Sequence, residues 1–332
     1  MNYTADSNRY NKMTYKRCGE SGLKLPAVSL GLWHNFGNTG DFENMKKMCF
    51  TAFNLGITHF DLADNYGPPE GSAETNFGKI LSSDLKSYRD ELIISTKAGH
   101  LMWEGPYGDF GSRKHLISGL DQSLKRMKLD YVDIFYHHRP DPETPLEETM
   151  LALSQIVKSG KALYVGISKY PVDMLRKAEA ILKELKVPFI ISQNRYSIFD
   201  RSFEESGVMD TVYELKKGAI IFSPLAQGLL SDKYLNGISE NSRIKTDGRF
   251  LTEKALTDEV IMKITKLNEL AKKREQTLAQ MALSWLHQKK EITSVLVGAS
   301  CPEQIIENVK MLDNIEFSSD ELNEIDEITK GK

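Results

Sequence analysis

Hydrophobic and polar positions along this chain switch repeatedly between two periods. Short continuous runs of apolar or β-branched residues are followed by longer stretches in which apolar residues recur three or four positions apart. The first pattern is typical of strands buried on both faces, and the second of amphipathic helices. The alternation predicts repeated β–α units around a parallel sheet.

Eight such units are predicted. The strands are expected at 26–33, 58–63, 92–97, 131–138, 162–168, 189–193, 219–224 and 294–298. The helices are expected at 43–55, 72–83, 114–127, 146–159, 172–185, 205–216, 258–274 and 302–312. Eight units in about 300 residues favour a (β/α)8 TIM barrel, with an open doubly wound sheet as the alternative.

Four segments exceed the minimal repeat. They are a glycine-rich loop at 99–112, a polar stretch at 231–257, an extra helix at 277–288 and a final helix at 319–330. Loops that follow barrel strands usually carry binding. Because composition does not break along the chain, we expect a single domain over 1–332, with a loosely ordered segment at 1–13.

Composition narrows the function classes. The chain has 332 residues and a net charge of −3, so nothing favours a nucleic acid or an anionic membrane as partner. No apolar run reaches 18 residues, so no membrane span is expected. Cys18, Cys49 and Cys301 are too few and too far apart for a zinc site or a disulfide framework. A reducing cytoplasm fits best.

Four side chains fit for proton transfer stand at or just after successive predicted strands. Asp61 and Tyr66 surround the end of the second strand, Lys97 closes the third, and His137 and His138 close the fourth. An ammonium beside a phenol favours the phenolate, and a carboxylate behind the ammonium keeps it charged. A histidine opposite can hydrogen-bond a substrate oxygen. Only one of the two adjacent histidines should face the site, and the pattern does not say which.

Each of these residues also has an ordinary structural role. An aspartate at a strand end often caps a loop, a lysine there usually reaches for water, and Tyr66 precedes a Gly-Pro-Pro turn. Their convergence on one rim favours a proton-handling site.

A nicotinamide coenzyme would have to bind at the barrel rim, because no Gly-x-Gly-x-x-Gly or P-loop motif follows a strand. Side chains for its carboxamide, ring and phosphates are available there: Ser168, Gln193, Phe222, Ser223, Leu225, Gln227, Gly228, Lys233, Arg243, Gly298 and Ser300. Ser300 opens a helix, where anions are favoured, but with Glu303 it also matches a capping box.

The chain resembles the aldo-keto reductases from about Met13 to Thr329. The motifs Phe60-Asp61-Leu62-Ala63-Asp64-Asn65-Tyr66-Gly67, Ile94-Ser95-Thr96-Lys97 and Tyr131-Val132-Asp133-Ile134-Phe135-Tyr136-His137-His138 are similar to those of the family's catalytic tetrad. The resemblance implies Tyr66 as general acid, Lys97 and Asp61 as its tuning pair, and His138 as the histidine that orients the carbonyl. Residues 222–234 resemble the branch that holds the potassium-channel β-subunits and the L-glyceraldehyde 3-phosphate reductases.

The same resemblance implies a coenzyme and a substrate class. Trp33, Gln304, Glu307 and Asn308 join the implied coenzyme cradle, and NADPH is expected, with NADH left open because Cys301 and Gln304 offer no charge to a 2′-phosphate. Lys169 departs from the asparagine that many members carry after the carboxamide-binding serine. Many relatives in this branch are tetramers or larger rings, so a homo-oligomer is expected.

A short aldehyde, such as L-glyceraldehyde 3-phosphate or methylglyoxal, is the expected substrate. Its pocket is expected to be lined by Trp33, Trp103, Tyr107 and Arg139, with the arginine meeting a phosphate or carboxylate. Two alternatives remain: a Schiff-base aldolase that uses Lys97, and a coenzyme-binding regulatory subunit of a membrane channel.

Overall fold

The computed structural model describes residues 3–235 and 252–330 and shows a closed barrel of eight parallel strands. A short antiparallel hairpin precedes it, formed by β1 (Tyr15–Arg17) and β2 (Lys24–Pro26). The barrel strands are β3 (Val28–Gly31), β4 (His59–Asp61), β5 (Ile93–Ala98), β6 (Val132–His137), β7 (Ala162–Ser168), β8 (Phe189–Arg195), β9 (Gly218–Phe222) and β10 (Ser294–Val297). Strand β10 pairs with both β9 and β3, which closes the barrel and confirms the predicted fold.

Helices follow the strands and cover the barrel. In the described part of the chain they are α1 (Phe42–Asn54), α2 (Ser72–Ser83), α3 (Arg113–Met127), α4 (Leu146–Lys158), α5 (Val172–Glu184), α6 (Ser202–Glu205), α7 (Val208–Glu214), α8 (Asp258–Lys273), α9 (Leu278–His287), α10 (Pro302–Val309) and α11 (Ser319–Lys330). Local chemistry explains several starts. Asp41 caps α1, and Thr277 with Gln280 forms a capping box at α9.

One predicted helix was wrong in its bounds, and one hairpin was missed. The helix expected at 205–216 is the shorter α7, Val208–Glu214, and the separate α6, Ser202–Glu205, precedes it, because Gly207 takes a left-handed conformation (φ 75°) between them. The β1–β2 hairpin was not predicted, because its strands have only three residues each, which is too short for a periodic pattern. In the N-terminal segment, Tyr3 stacks on Phe50 of α1 at 4.0 Å and donates its hydroxyl to Asn54.

The barrel wall is apolar towards the helices, and its interior is partly polar. Phe60 of β4 packs on Phe77 of α2 with ring centroids 5.3 Å apart. Inside, Tyr136 fills space that Gly166 leaves open, since a Cβ there would lie 2.3 Å from the tyrosine ring. In the described ranges, no helix is long and apolar enough to cross a membrane.

A buried ion pair positions the loop between β4 and α2, which carries Tyr66. Arg126 of α3 donates to Glu74 of α2 at 2.7 Å, and Thr96 of β5 donates its hydroxyl to the same carboxylate at 2.5 Å. The Glu74 side chain is fully buried. These bonds tie α2, α3 and β5 together beside the catalytic rim.

Candidate active site

A buried lysine joins an aspartate and a tyrosine at the rim. Lys97 Nζ lies 2.5 Å from Asp61 Oδ2, 2.6 Å from the Leu62 carbonyl and 3.3 Å from the Tyr66 hydroxyl. The other carboxylate oxygen, Asp61 Oδ1, accepts from Ser95 Oγ at 2.6 Å. Lys97 therefore has a carboxylate on one side and a phenol on the other.

Burial and charge act in opposite directions in this group. Burial alone would lower the pKa of Lys97, but Asp61 and Tyr66 raise that pKa above its ordinary value, so the amine stays protonated. Burial raises the pKa of the Tyr66 phenol, and Lys97 opposes that rise without cancelling it. The phenol is thus protonated at neutral pH, and an ammonium 3.3 Å away is ready to stabilise its anion. Lys97 lowers the pKa of Tyr66, as expected, but this effect is smaller than the rise that burial causes.

The two adjacent histidines point to different places. The His138 ring lies 6.1 Å from the Tyr66 ring, whereas His137 pairs its Nδ1 with the Tyr170 hydroxyl at 2.6 Å. Burial, with Lys97 adding repulsion, holds the pKa of His138 well below its ordinary value. His138 is therefore neutral and able to donate one N–H to a substrate oxygen.

The residues expected to line the substrate pocket are spread over the rim. Trp33 lies beside the tetrad, with its ring 6.2 Å from that of Tyr66. Trp103 packs on His115 at 5.1 Å, and Tyr107 is exposed on the same loop. Arg139 already pairs with Asp109 at 2.6 Å and donates to the Gly99 carbonyl at 2.8 Å.

Residues expected at the carboxamide end of a coenzyme lie together on β7, β8 and β9. Ser168 Oγ is buried and has no hydrogen-bond partner among the described residues, which suits a ligand amide. Gln193 turns its amide nitrogen to Asp61 Oδ1 at 3.2 Å, so that donor is already used. Phe222 ends β9 with its side chain partly exposed.

The loop after β9 is a tight turn. Ser223, Ala226 and Gln227 all have positive φ, between 47° and 62°. Some of its amides bond carbonyls of the same turn: Ala226 N–H donates to the Ser223 carbonyl at 3.0 Å, and Gly228 N–H to the Leu225 carbonyl at 2.8 Å. Gly228 follows in the same turn, and Lys233 is exposed beyond it. Arg243 lies outside the described residues.

The expected adenosine end lies around α10. Gly298 faces open space, and Ser300 N–H bonds Gln304 Oε1 at 3.0 Å. Helix α10 starts at Pro302 with Cys301 as its N-cap residue and without a side-chain cap, so the capping role considered for Ser300 was wrong. Further along the helix, Glu307 accepts from Gln280 at 2.6 Å, and Asn308 is buried.

The structure adds residues that sequence reasoning did not select. His100 lies edge-on to His138 at 4.4 Å, and Lys169 Nζ lies 3.5 Å from His100 Nε2. Ser95 and His59 stand behind Asp61 in a chain of hydrogen bonds. Of these residues, only Lys169 stood out in the sequence, because many family members have asparagine at that position.

This fold and rim define an oxidoreductase. Residues 27–330 match the aldo/keto reductase family, and the chain belongs to that family. It is 56% identical to an L-glyceraldehyde 3-phosphate reductase of Escherichia coli O157:H7 over 98% of this chain and 95% of that protein. It is 35% identical to a probable voltage-gated potassium channel subunit beta of Oryza sativa subsp. japonica over 96% of this chain and 98% of that protein.

A solved structure supports the same conclusion. A thermostable aldo-keto reductase, determined in complex with the inhibitor epalrestat, superposes with a TM-score of 0.74 at 29% identity, covering 95% of this chain and all of the other. Reductases of this family use a nicotinamide coenzyme. The orphaned Ser168 hydroxyl and the open space at Gly298 are features that suit such a ligand.

Proposed function

We propose that the protein reduces small aldehydes to alcohols with NADPH, with Tyr66 as the general acid. The observation that carries this is the buried triad in which Lys97 Nζ contacts Asp61 at 2.5 Å and the Tyr66 hydroxyl at 3.3 Å. The reductase from Escherichia coli that shares 56% identity supports L-glyceraldehyde 3-phosphate as one substrate. Methylglyoxal remains a second candidate, and a reducing cytoplasm suits the three free cysteines.

The proposed chemistry balances one hydride and one proton. When bound, a dihydronicotinamide would supply the hydride that the carbonyl carbon accepts, and Ser168 and Phe222 are the residues proposed to hold its carboxamide and its ring. Tyr66 gives its proton to the carbonyl oxygen, Lys97 stabilises the phenolate that remains, and neutral His138 hydrogen-bonds the oxygen as negative charge develops. Solvent then returns a proton to Tyr66.

The Schiff-base alternative is disfavoured by the state of Lys97. A Schiff base requires a neutral amine. The ammonium is instead held by Asp61 and the Leu62 carbonyl, and its pKa is raised. The regulatory alternative rests on the similarity to the channel subunits alone.

The phosphate of a phosphorylated aldehyde is proposed to bind near Lys169 and His100. Lys169 Nζ has His100 as a neighbour at 3.5 Å, and His100 touches His138 edge-on at 4.4 Å. Arg139, the arginine expected in this role, already has Asp109 as its counter-ion. Lys169 therefore supplies the larger uncompensated charge, and Arg139 a smaller share.

The proposed function is tested with Tyr66→Phe, which keeps the ring and removes the proton. We expect kcat for glyceraldehyde 3-phosphate to fall by about a hundredfold or more. Fluorescence titration should show unchanged binding of NADPH, and binding of NADPH tighter than NADH. The matched control is Tyr213→Phe, which removes the hydroxyl of an exposed tyrosine on α7, a helix that carries none of the proposed site residues.

Two results would remove the proposal. Turnover by Tyr66→Phe at the wild-type rate would exclude the tyrosine as acid. Coenzyme binding without reduction of any small aldehyde by the wild-type protein would favour the regulatory alternative.

A further inference from the structure

A continuous chain of hydrogen bonds crosses the barrel interior beneath Asp61. Ser294 Oγ lies 2.6 Å from Ser29 Oγ, which lies 2.9 Å from His59 Nδ1. His59 Nε2 lies 2.9 Å from Ser95 Oγ, and Ser95 reaches Asp61 Oδ1 at 2.6 Å. All five side chains belong to fully buried residues of neighbouring strands β10, β3, β4 and β5.

The chemistry of these groups allows one direction of donation. The Asp61 carboxylate only accepts, so the single hydroxyl proton of Ser95 is used there. Ser95 must then accept from His59 Nε2–H. Burial lowers the pKa of His59 to about 4, so the ring is neutral and its Nδ1 accepts from Ser29. Ser29 in turn accepts from Ser294.

The direction of hydrogen-bond donation matters because Asp61 and Lys97 form an ion pair that is shielded from solvent. Both side chains have no exposed surface. A buried pair can lower its desolvation cost by passing the proton from ammonium to carboxylate, and each donor to the carboxylate opposes that transfer. Beyond Lys97, Asp61 has two such donors, Ser95 at 2.6 Å and Gln193 at 3.2 Å.

We propose that Ser95, held by His59 and Ser29, is a positioning residue that keeps Asp61 ionised and thereby keeps the Lys97 charge beside Tyr66. The polar chain is then part of the catalytic apparatus rather than a packing feature of the barrel. The inference rests on the proposed role of Tyr66 as acid. It explains the protonation state of Asp61 and Lys97 by hydrogen bonds from residues inside the barrel.

Titratable groups from several elements face Asp61 and Lys97. Around Asp61 lie Lys97, Tyr66, His59 and Tyr136, and Asp64 acts on Tyr66 from the following loop. Around Lys97, its charge lowers the pKa values of His138, His100 and Lys169. Burial, with Asp61 adding to it, raises the pKa of Tyr136 far above its ordinary value, so Tyr136 stays neutral. Burial also raises the pKa of Asp64. Measured with glyceraldehyde, which has no phosphate for Lys169 to contact, a basic limb in the activity profile therefore reports the Tyr66–Lys97 pair.

Ser95→Ala tests the inference, because it removes the donor and leaves the tetrad intact. With less charge on Lys97, Tyr66 should hold its proton more tightly. We expect kcat at pH 7 to fall about tenfold and its basic limb to move up by about one pH unit. KM for the aldehyde and Kd for NADPH should stay within about twofold, since neither ligand touches Ser95. Ser95→Thr, which restores a hydroxyl, should recover the profile.

Two further variants separate the inference from a loss of folding. Ser29→Ala, two bonds further from Asp61, should shift the limb in the same direction by a smaller amount. Ser284→Ala removes a fully buried hydroxyl that donates to the Gln280 carbonyl at 2.9 Å in α9, and should lower stability with an unchanged profile. If Ser95→Ala does not fold, the shift in Ser29→Ala decides.

A measurement that does not depend on catalytic turnover tests this inference separately from the proposed function. The Tyr66 phenolate can be titrated by ultraviolet difference absorbance against the Tyr66→Phe variant, with and without Ser95→Ala. An upward shift supports the inference even if no aldehyde is reduced, in which case only the proposed function fails. An unshifted titration, or an equal shift in Ser284→Ala, overturns it.

Discussion

Lys169 occupies a backbone conformation that a lysine rarely adopts. Its φ is 61°, in the left-handed region that glycine and asparagine favour, so its position carries strain. Partial desolvation, with Arg139 and Lys97 adding repulsion, lowers its pKa to about 8. A cation held near other cations is relieved by an anion, which fits the proposed phosphate position beside His100.

The charge of Lys169 gives a pH-dependent substrate preference. As pH rises through about 8, the ammonium loses its proton. We therefore expect kcat/KM for glyceraldehyde 3-phosphate to fall relative to that for glyceraldehyde across this range. Steady-state kinetics with both substrates from pH 7 to 9.5 measures the ratio.

Variants at the same position sharpen the test. Lys169→Arg stays charged and should flatten the ratio, whereas Lys169→Ala should lower kcat/KM for the phosphorylated aldehyde about tenfold to a hundredfold. Arg139→Ala should have the smaller effect, because Asp109 already neutralises Arg139. An equal loss for both aldehydes in Lys169→Ala would contradict a phosphate contact.

At the scale of single residues, the sequence could predict site residues that lie near one another along the chain or that end a strand. Asp61, Tyr66 and Lys97 met this condition, and the structure brings them within hydrogen-bond distance. The polar chain through His59 and Ser95 could not be predicted, because its partners come from separate strands, and a serine within an apolar run gives no signal of the direction in which it points.

Among the elements, α2 and α3 are fastened by the buried Glu74–Arg126 pair. Arg126→Met leaves the Glu74 carboxylate buried without its counter-ion, although the Thr96 hydroxyl still donates to it, and this should reduce the free energy of unfolding by about 3 to 5 kcal/mol. Urea unfolding measures the loss. The second-site change Glu74→Gln should recover part of it, since no charge is then left buried.

The control for this pair is an ion pair at the surface of the same helix. Lys161 contacts Asp121 of α3 at 2.6 Å, with side chains 35% and 40% exposed. Lys161→Met should change the free energy of unfolding by less than about 1 kcal/mol. Equal losses of unfolding free energy in Arg126→Met and Lys161→Met would show that the burial of Glu74 does not increase the contribution of its ion pair to stability.

Element types were predicted better than element ends. Helix α2 was placed at its observed bounds, because its apolar spacing is regular between a glycine and a polar run. The division between α6 and α7 was missed, since a glycine inside a helical pattern is usually tolerated and only the left-handed φ of Gly207 shows that it ends the first helix. Strand β4 is shorter than predicted: its paired register with β5 ends at Asp61, although the Leu62 and Asp64 N–H groups still donate to the Ser95 and Lys97 carbonyls at 2.9 Å.

For the whole molecule, the count of β–α units was enough to predict closure. Strands β10 and β3 lie almost the full chain apart, so local patterns do not show that they pair. A sheet of eight parallel strands nevertheless has few ways other than closure to cover its two edge strands. The proposed coenzyme cradle was placed on the rim by the same reasoning and stays a prediction. Its loop geometry at Ser223 to Gln227 could not be predicted, because positive φ values there are not typical of those residue types.

Buried histidines should make the whole molecule sensitive to acid. Burial lowers the pKa of His59, His100 and His287 to about 4 and that of His137 to about 3, against 6.5 in the unfolded chain. Between these values the unfolded chain binds more protons, so stability is full above pH 6.5 and is lost as pH falls towards 4. Asp64 and Asp133 act in the opposite direction, because burial raises their pKa values.

The histidines outnumber these two carboxyl groups, so we expect a net loss of stability on acidification. Each neutral buried histidine contributes a slope of up to about 1.4 kcal/mol per pH unit within its window. Urea unfolding at pH 7.5, 6.0 and 5.0 should show a falling midpoint. His287→Gln, which removes a titrating group outside the proposed site, should make the fall shallower by one such contribution. A midpoint that is constant or rises towards pH 5 would mean that the carboxyl groups dominate.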